Sequence, residues 1–156
     1  MGPAHPECPQ RIDVITDMLM TLRVLDMLQH FEAPAVTREQ LLRVHSADYL
    51  DYLERILPEN GYEKIDMDTL MNPKTLKAAG YAAGSVVMGV DLVMSGQVKN
   101  AFCSVRPPGH HASTDTAMGF CYYNNVAVGA AHAAAEHGLE RIAIIDFDVH
   151  HGNGTD

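Results

Sequence analysis

The sequence predicts an α/β domain, and three segments carry that expectation. Residues 100–105 form a short apolar run, residues 124–137 an alanine-rich helical stretch, and residues 141–146 a β-branched run that is apolar on both faces. A run of the last kind reads as a central parallel strand buried on both sides. Strand, helix and strand in this order make a βαβ unit. Ligands of open parallel sheets bind at the carboxyl ends of strands. Both runs lead at those ends into polar loops that carry histidine.

The elements before this unit read as helices. Pro9 suits a first helical turn, and apolar residues then recur at Ile12, Ile15, Met18, Leu19, Leu22, Leu25 and Leu28. Thr37-Arg38-Glu39-Gln40 has the capping-box pattern of a second, short helix. Ser46 can cap a third, carrying Tyr49, Leu50, Leu53 and Ile56 as far as Pro58. Residues 59–72 read as a loop. Asn72-Pro73 opens a long helix to about Met94, whose Ala79, Gly80, Ala82, Ala83 and Gly84 predict close packing against a neighbour. Gly138 is placed to end the helix at 124–137.

A chain of 156 residues suits one domain with its own core, and 47% hydrophobic with 20% charged residues is a globular composition. Charges or glycines break the apolar stretches before the roughly 18 residues of a membrane span, so no membrane partner is expected. The opening residues show no basic and apolar secretory signal. The net charge of −9 argues against direct nucleic-acid binding. It suits a cationic partner, although an acidic surface also serves plain solubility. Three scattered cysteines without a CxxC suggest neither a disulfide framework nor a cysteine metal site. A reducing interior is the expected location, cytoplasmic or, in a eukaryote, nuclear.

Two clusters could do chemistry. In Asp146-Phe147-Asp148-Val149-His150-His151-Gly152-Asn153-Gly154, two carboxylates and an imidazole alternate with apolar residues. Extended backbone would put all three on one face. Such oxygen and nitrogen donors suit zinc or another divalent ion. Asp-x-Asp alone reads more readily as backbone capping; the full run at a strand end favours the metal. In Arg106-Pro107-Pro108-Gly109-His110-His111-Ala112, adjacent histidines could polarise water and protonate a leaving amine. Phe120, in Gly119-Phe120-Cys121-Tyr122-Tyr123-Asn124-Asn125, could wall a channel or simply fill core. His5, His30, His45, His132 and His137 show no clustering and read as surface or core histidines, with His5 in His-Pro-Glu less clear.

Taken together, Arg-Pro-Pro-Gly-His-His-Ala, Gly-Phe-Cys-Tyr-Tyr-Asn-Asn and Asp-Phe-Asp-Val-His-His-Gly-Asn-Gly-Thr resemble the central motifs of the histone deacetylase and acetylpolyamine amidohydrolase family. His5-Pro6-Glu7-Cys8-Pro9-Gln10-Arg11 resembles the family's His-Pro-Glu-x-Pro-x-Arg, so the likeness runs from His5 to the last residue. Asn124-Asn125 and Asn153 lean toward class II, bacterial or acetylpolyamine-type relatives. The resemblance implies an arginase-deacetylase fold, a mainly parallel sheet with helices on both faces. Residues 1–156 would be the N-terminal to central part of that catalytic domain.

The resemblance also implies a reaction: zinc-dependent hydrolysis of an acetyl group from an acetyl-lysine peptide or an acetylpolyamine, with Zn2+ or Fe2+ as catalytic metal. Asp148 and His150 would be metal ligands. His110 and His111 would be the tandem acid-base pair, His111 moving the protons. Asp146 would orient His110 and, with Asp148 and backbone near His150, hold a structural K+. Asn153 would sit beside His111. Gly119 would offer its carbonyl to the substrate amide, Phe120 would line the acyl tunnel, and Arg11 would sit at the acetate cavity. Asp66 would hold substrate backbone at the rim, with Asp68 as the alternative.

This sequence departs from the pattern at its ends. The family's third ligand, an aspartate, and its carbonyl-polarising tyrosine lie well beyond the Asp-x-Asp-x-His-His motif, and the first strand lies before His-Pro-Glu. These residues by themselves are therefore expected to be inactive. The alternatives are a catalytically dead partner-binding module, or a hydrolase of another acyl or amide bond on the same scaffold. Oligomeric state is not legible.

Overall fold

The computed structural model describes residues 5–156, so the expectation that the opening residues hold no secretory signal falls partly outside it. In chain order the elements are α1 (Gln10–Thr21), a 3-10 turn (Leu25–Met27), α2 (Arg38–Leu41), α3 (Ala47–Ile56), β1 (Glu63–Lys64), β2 (Leu70–Met71), α4 (Thr75–Met94) and α5 (Asn125–His137).

The helices begin and end where local chemistry dictates. Thr37 and Gln40 close a reciprocal capping box on α2. Ser46 accepts from the Tyr49 amide at 3.2 Å to start α3, and Asn124 from the Ala127 amide at 3.1 Å to start α5. Gly138 ends α5 in the left-handed conformation, φ 66°. The first helix is shorter than its apolar pattern. It stops at Thr21, and Arg23 turns the chain at φ 56° before the 3-10 turn. The apolar residues from Leu22 to Leu28 therefore do not extend its stripe.

The core gathers Leu41, Tyr49, Leu50, Leu53, Met71, Ala79, Ala83, Val87, Tyr122, Tyr123 and Val128. The small residues of α4 do what their size predicts, and Ala79, Gly80, Ala82, Ala83 and Gly84 are all buried. By length and composition alone this 20-residue helix could cross a membrane, although Lys77, three glycines and Asp91 interrupt its apolar run. Its buried face here packs on α5 and on residues 34–36. The Gly80 carbonyl accepts from the Val36 amide at 2.9 Å. A Cβ on Gly84 would stand 2.0 Å from the Pro34 carbonyl oxygen. Gly84→Ala therefore forces backbone apart and is expected to cost about 1–3 kcal/mol, read as a lower urea midpoint.

His45 joins the core to the loops. It is 2% exposed, donates through Nδ1 to the Ser113 carbonyl at 2.8 Å, and accepts the Asn124 amide at Nε2 at 2.9 Å. Burial holds its pKa below 6.5. The folded state thus resists a proton that the unfolded chain accepts. Stability should be level above about pH 6.5 and fall below it, by at most about 1.4 kcal/mol per pH unit. Urea midpoints across pH 5–8 check this; a flat profile would remove His45 from the account.

The sheet departs from expectation. The described residues form one two-stranded antiparallel sheet, with Glu63 opposite Met71 and Lys64 opposite Leu70, inside the segment expected to be loop. Residues 100–105 and 141–146 carry no strand ladder. Nor are they buried: Phe102 is 72% exposed, Ile142 42% and Ile145 86%. The physical reason is that a strand exists through its partners' hydrogen bonds, and among the described residues little covers these side chains. A further correction concerns His132 and His137, expected to be isolated. Both meet Asp91 across the α4–α5 packing.

Candidate active site

Two loops and the end of the chain bring the chemistry-bearing residues together. Loop 106–112 is anchored behind by Asn125, which donates to the Pro107 carbonyl at 3.1 Å. Asn124, fully buried, donates to the Ala112 carbonyl and to Thr155 Oγ1, each at 3.1 Å. The start of α5 therefore holds both the histidine loop and the last residues. Gly154 sits so close to this loop that a Cβ would lie 2.2 Å from the Ala112 carbonyl oxygen, while its own amide donates to the His110 carbonyl at 2.9 Å.

Each histidine of the tandem pair has its own partner. His110 Nδ1 donates to Asp146 Oδ2 at 2.8 Å, and His111 Nδ1 to Asn153 Oδ1 at 2.7 Å. The two ring centroids are 4.1 Å apart, and the His150 ring lies 6.0 Å from that of His111. Both Nδ1 atoms are committed as donors, which leaves each Nε2 with a lone pair. A positive charge arising on His110 would meet a carboxylate. One on His111 would meet only an amide dipole.

Asp146, Asp148 and His150 converge through side chains that reach forward along the chain. Asp146 Oδ1 accepts the Asp148 amide at 3.1 Å, and Asp148 Oδ1 accepts the His150 amide at 2.8 Å. His150 Nδ1 stands 3.0 Å from the same Asp148 oxygen. The hydrogen bond from His110 holds the Asp146 carboxyl below the usual carboxylate range, and the His150 amide and ring do the same for Asp148. An oxygen and a nitrogen at this separation fit zinc in kind, since ligands at ~2.0–2.1 Å in a tetrahedron stand ~3.3 Å apart. The pair supplies two of the three protein donors that a catalytic zinc takes.

The wall beside His111 is tight. Gly119 has φ 55°, and a Cβ there would lie 2.3 Å from His111 Cδ2. Phe120 follows at φ 69°, a cost for an aromatic residue, and its amide donates to Thr69 Oγ1 at 3.1 Å. The His5 ring packs edge-on against Phe120 at 4.4 Å, and its Nε2 donates to the Asp68 carbonyl at 2.9 Å. Neither His5 nor Thr69 stood out in the sequence as part of this wall; the His-Pro-Glu motif was the only signal for the former.

The two rim aspartates differ. Asp66 spends its carboxylate inside the loop, accepting the Thr69 amide at 2.6 Å, the Asp68 amide at 3.0 Å and the Thr69 hydroxyl at 3.0 Å. Asp68 is exposed. Arg11 donates to the Val105 carbonyl and to Glu7. Glu7, 5% exposed, is gripped by Arg106 through Oε2 at 2.6 and 2.9 Å.

Gly119→Ala tests the fit of this wall. The added methyl meets His111 and demands a left-handed alanine, so activity should fall while melting changes less than for Gly84→Ala. Undiminished turnover would show that the His111 ring has room to move.

The sequence profile of the histone deacetylase domain matches residues 5–156. The chain is 40% identical to the histone deacetylase-like amidohydrolase of Pseudomonas aeruginosa, over 97% of this chain and 40% of that protein. It is 37% identical to the polyamine deacetylase HDAC10 of Homo sapiens, over 96% of this chain and 24% of that one. An uncharacterized protein of Synechocystis, slr0245, is 43% identical over 99% of this chain and 51% of its own length. The crystal structure of the HDA15 HD domain superposes with a TM-score of 0.92 at 38% identity, covering 99% of this chain and 45% of the other. The chain thus spans about half, or less, of the length of these proteins. It belongs to the histone deacetylase domain family.

Proposed function

We propose that the complete protein is a metal-dependent amidohydrolase that removes an acetyl group from acetyl-lysine or an acetylpolyamine. The observation that carries this reading is the pair of histidines, each with Nδ1 anchored to a different partner, beside the converging Asp148 and His150. The deacetylase names of the relatives support the reaction class. A net charge of −9 suits a cationic substrate.

Asp148 and His150 are the residues to hold zinc, which when bound polarises a carbonyl and activates water. His111, held by Asn153 and pressed on Gly119, keeps Nε2 free to take a proton from water and pass it to the departing amine. His110, backed by Asp146, supplies a second imidazole whose positive charge is balanced. The Gly119 carbonyl accepts from the substrate amide, Phe120 lines the acyl arm, and Arg11 borders the space for acetate. At the rim the exposed Asp68 is the better placed to meet substrate, while Asp66 shapes the loop that seats Phe120. The sheet on this reading is the parallel one of the arginase-deacetylase fold, completed around residues 100–105 and 141–146.

The test is turnover by the full-length protein of acetyl-lysine peptides and of acetylpolyamines, with and without a chelator. Loss of activity with the chelator and recovery with zinc is the expected result. Turnover indifferent to the chelator would end the metal reading, and no turnover of either substrate class would favour a partner-binding module.

A further inference from the structure

Away from these loops, one group of side chains among the described residues has the make-up of a second metal site. Asp91 lies in the last turn of α4, and His132 and His137 lie on α5. Both histidines donate through Nε2 to the same Asp91 oxygen, each at 2.7 Å. One candidate ligand atom from each residue lies within 4.8 Å of the other two. The rings stand 5.8 Å apart at 73°, so their nitrogens approach the carboxylate from different sides.

We propose that Asp91, His132 and His137 form a second binding site for a zinc-type transition-metal dication, open to solvent and separate from the Asp148–His150 centre. Two imidazoles and one carboxylate favour zinc, copper, nickel or cobalt over calcium or magnesium. The frame is firm: α4 and α5 pack so closely that a Cβ on Gly129 would stand 2.4 Å from Val86. His132 is only 5% exposed, which fixes one ligand. His137 and Asp91 have side chains 25% and 49% exposed, which lets an ion enter and keep a water. Spreading from the 2.7 Å hydrogen bonds to the ~3.3 Å ligand spacing of a tetrahedral site asks for about half an ångström. The exposed Asp91 and the helix-terminal His137 can supply it.

Arg43 sets how strongly the site binds. Its Nη1 donates to His132 Nδ1 at 3.2 Å, while Nη2 pairs with Glu136 at 2.5 Å. A metal on Nε2 requires a hydrogen on Nδ1, which would then face the guanidinium donor. The ion must therefore displace that contact, leaving Arg43 on Glu136. In Arg43→Gln an amide oxygen can accept from Nδ1–H, as the outer partners of metal-bound histidines do. That variant should bind metal more tightly.

The probe is Co(II), whose visible absorption intensifies in a tetrahedral site, titrated into the full chain carrying Asp148→Ala and His150→Ala. One saturable equivalent is expected there. Adding Asp91→Asn or His137→Gln should weaken it roughly tenfold or more, with the melting temperature confirming a folded chain. Adding Arg43→Gln should strengthen it. No saturable binding in the Asp148→Ala, His150→Ala chain overturns the proposal. So does binding of undiminished strength in both Asp91→Asn and His137→Gln. A further equivalent, persisting beside the one that Asp91→Asn and His137→Gln remove, would mean that the first centre lies elsewhere, a separate failure.

Discussion

Asp148→Ala in the full-length protein is expected to abolish zinc uptake at the Asp148–His150 centre and, with it, turnover. The side chain is 49% exposed and accepts hydrogen bonds from the His150 amide and ring. Its removal takes away one of the three protein donors that a catalytic zinc needs and leaves His150 as the one donor in this loop. The rate loss should exceed the roughly 10²–10³-fold that follows removal of one oxyanion donor. Folding should change far less than with Leu53→Ala, a fully buried core truncation worth about 2–5 kcal/mol. Zinc content by elemental analysis, melting temperature and deacetylation, measured on both variants, separate the two effects. Unchanged zinc stoichiometry in Asp148→Ala, corrected for any ion at Asp91, would refute the assignment.

His111→Ala should lower kcat by about 10²–10⁴-fold with a much smaller change in KM and with zinc retained. The geometry singles out this ring. Asn153 holds its Nδ1 at 2.7 Å, the Gly119 backbone lies against its carbons, and its Nε2 has the lone pair that proton transfer needs. Partial rescue by added imidazole would tie the loss to proton transfer. A fall of less than tenfold, with His110→Ala far worse, would exchange the roles of the two histidines.

The readable parts of this molecule are those written in neighbouring residues. Thr37 with Gln40, Ser46 and Gly138 all cap the helices their positions announce. A cap is a bond between residues two to four apart, so sequence contains it whole. The small residues of α4 likewise foretold a close neighbour. The end of α1 was not readable, because Leu22 to Leu28 keep a helical period while Arg23 leaves helical backbone. Residues 141–146 look buried by composition, yet burial depends on what covers a segment, and none of the described residues buries them.

The candidate site divides in the same way. Its residue types, their order and the family likeness of the His-His and Asp-x-Asp-x-His-His motifs are properties of the sequence. Which partner each histidine takes is not. His110 and Asp146 are 36 positions apart, and His111 and Asn153 are 42. That Asp66 turns its carboxylate inward while Asp68 stays exposed depends on hydrogen bonds to Thr69. Asp91 meets His132 and His137 only because glycine lets α4 and α5 approach. Sequence by itself determined the caps, the small-residue packing face and the chemical vocabulary of the loops, since each depends on residues a few positions apart. Tertiary structure alone decided partners, exposure and the second histidine cluster, because those depend on distances between segments that no local pattern records.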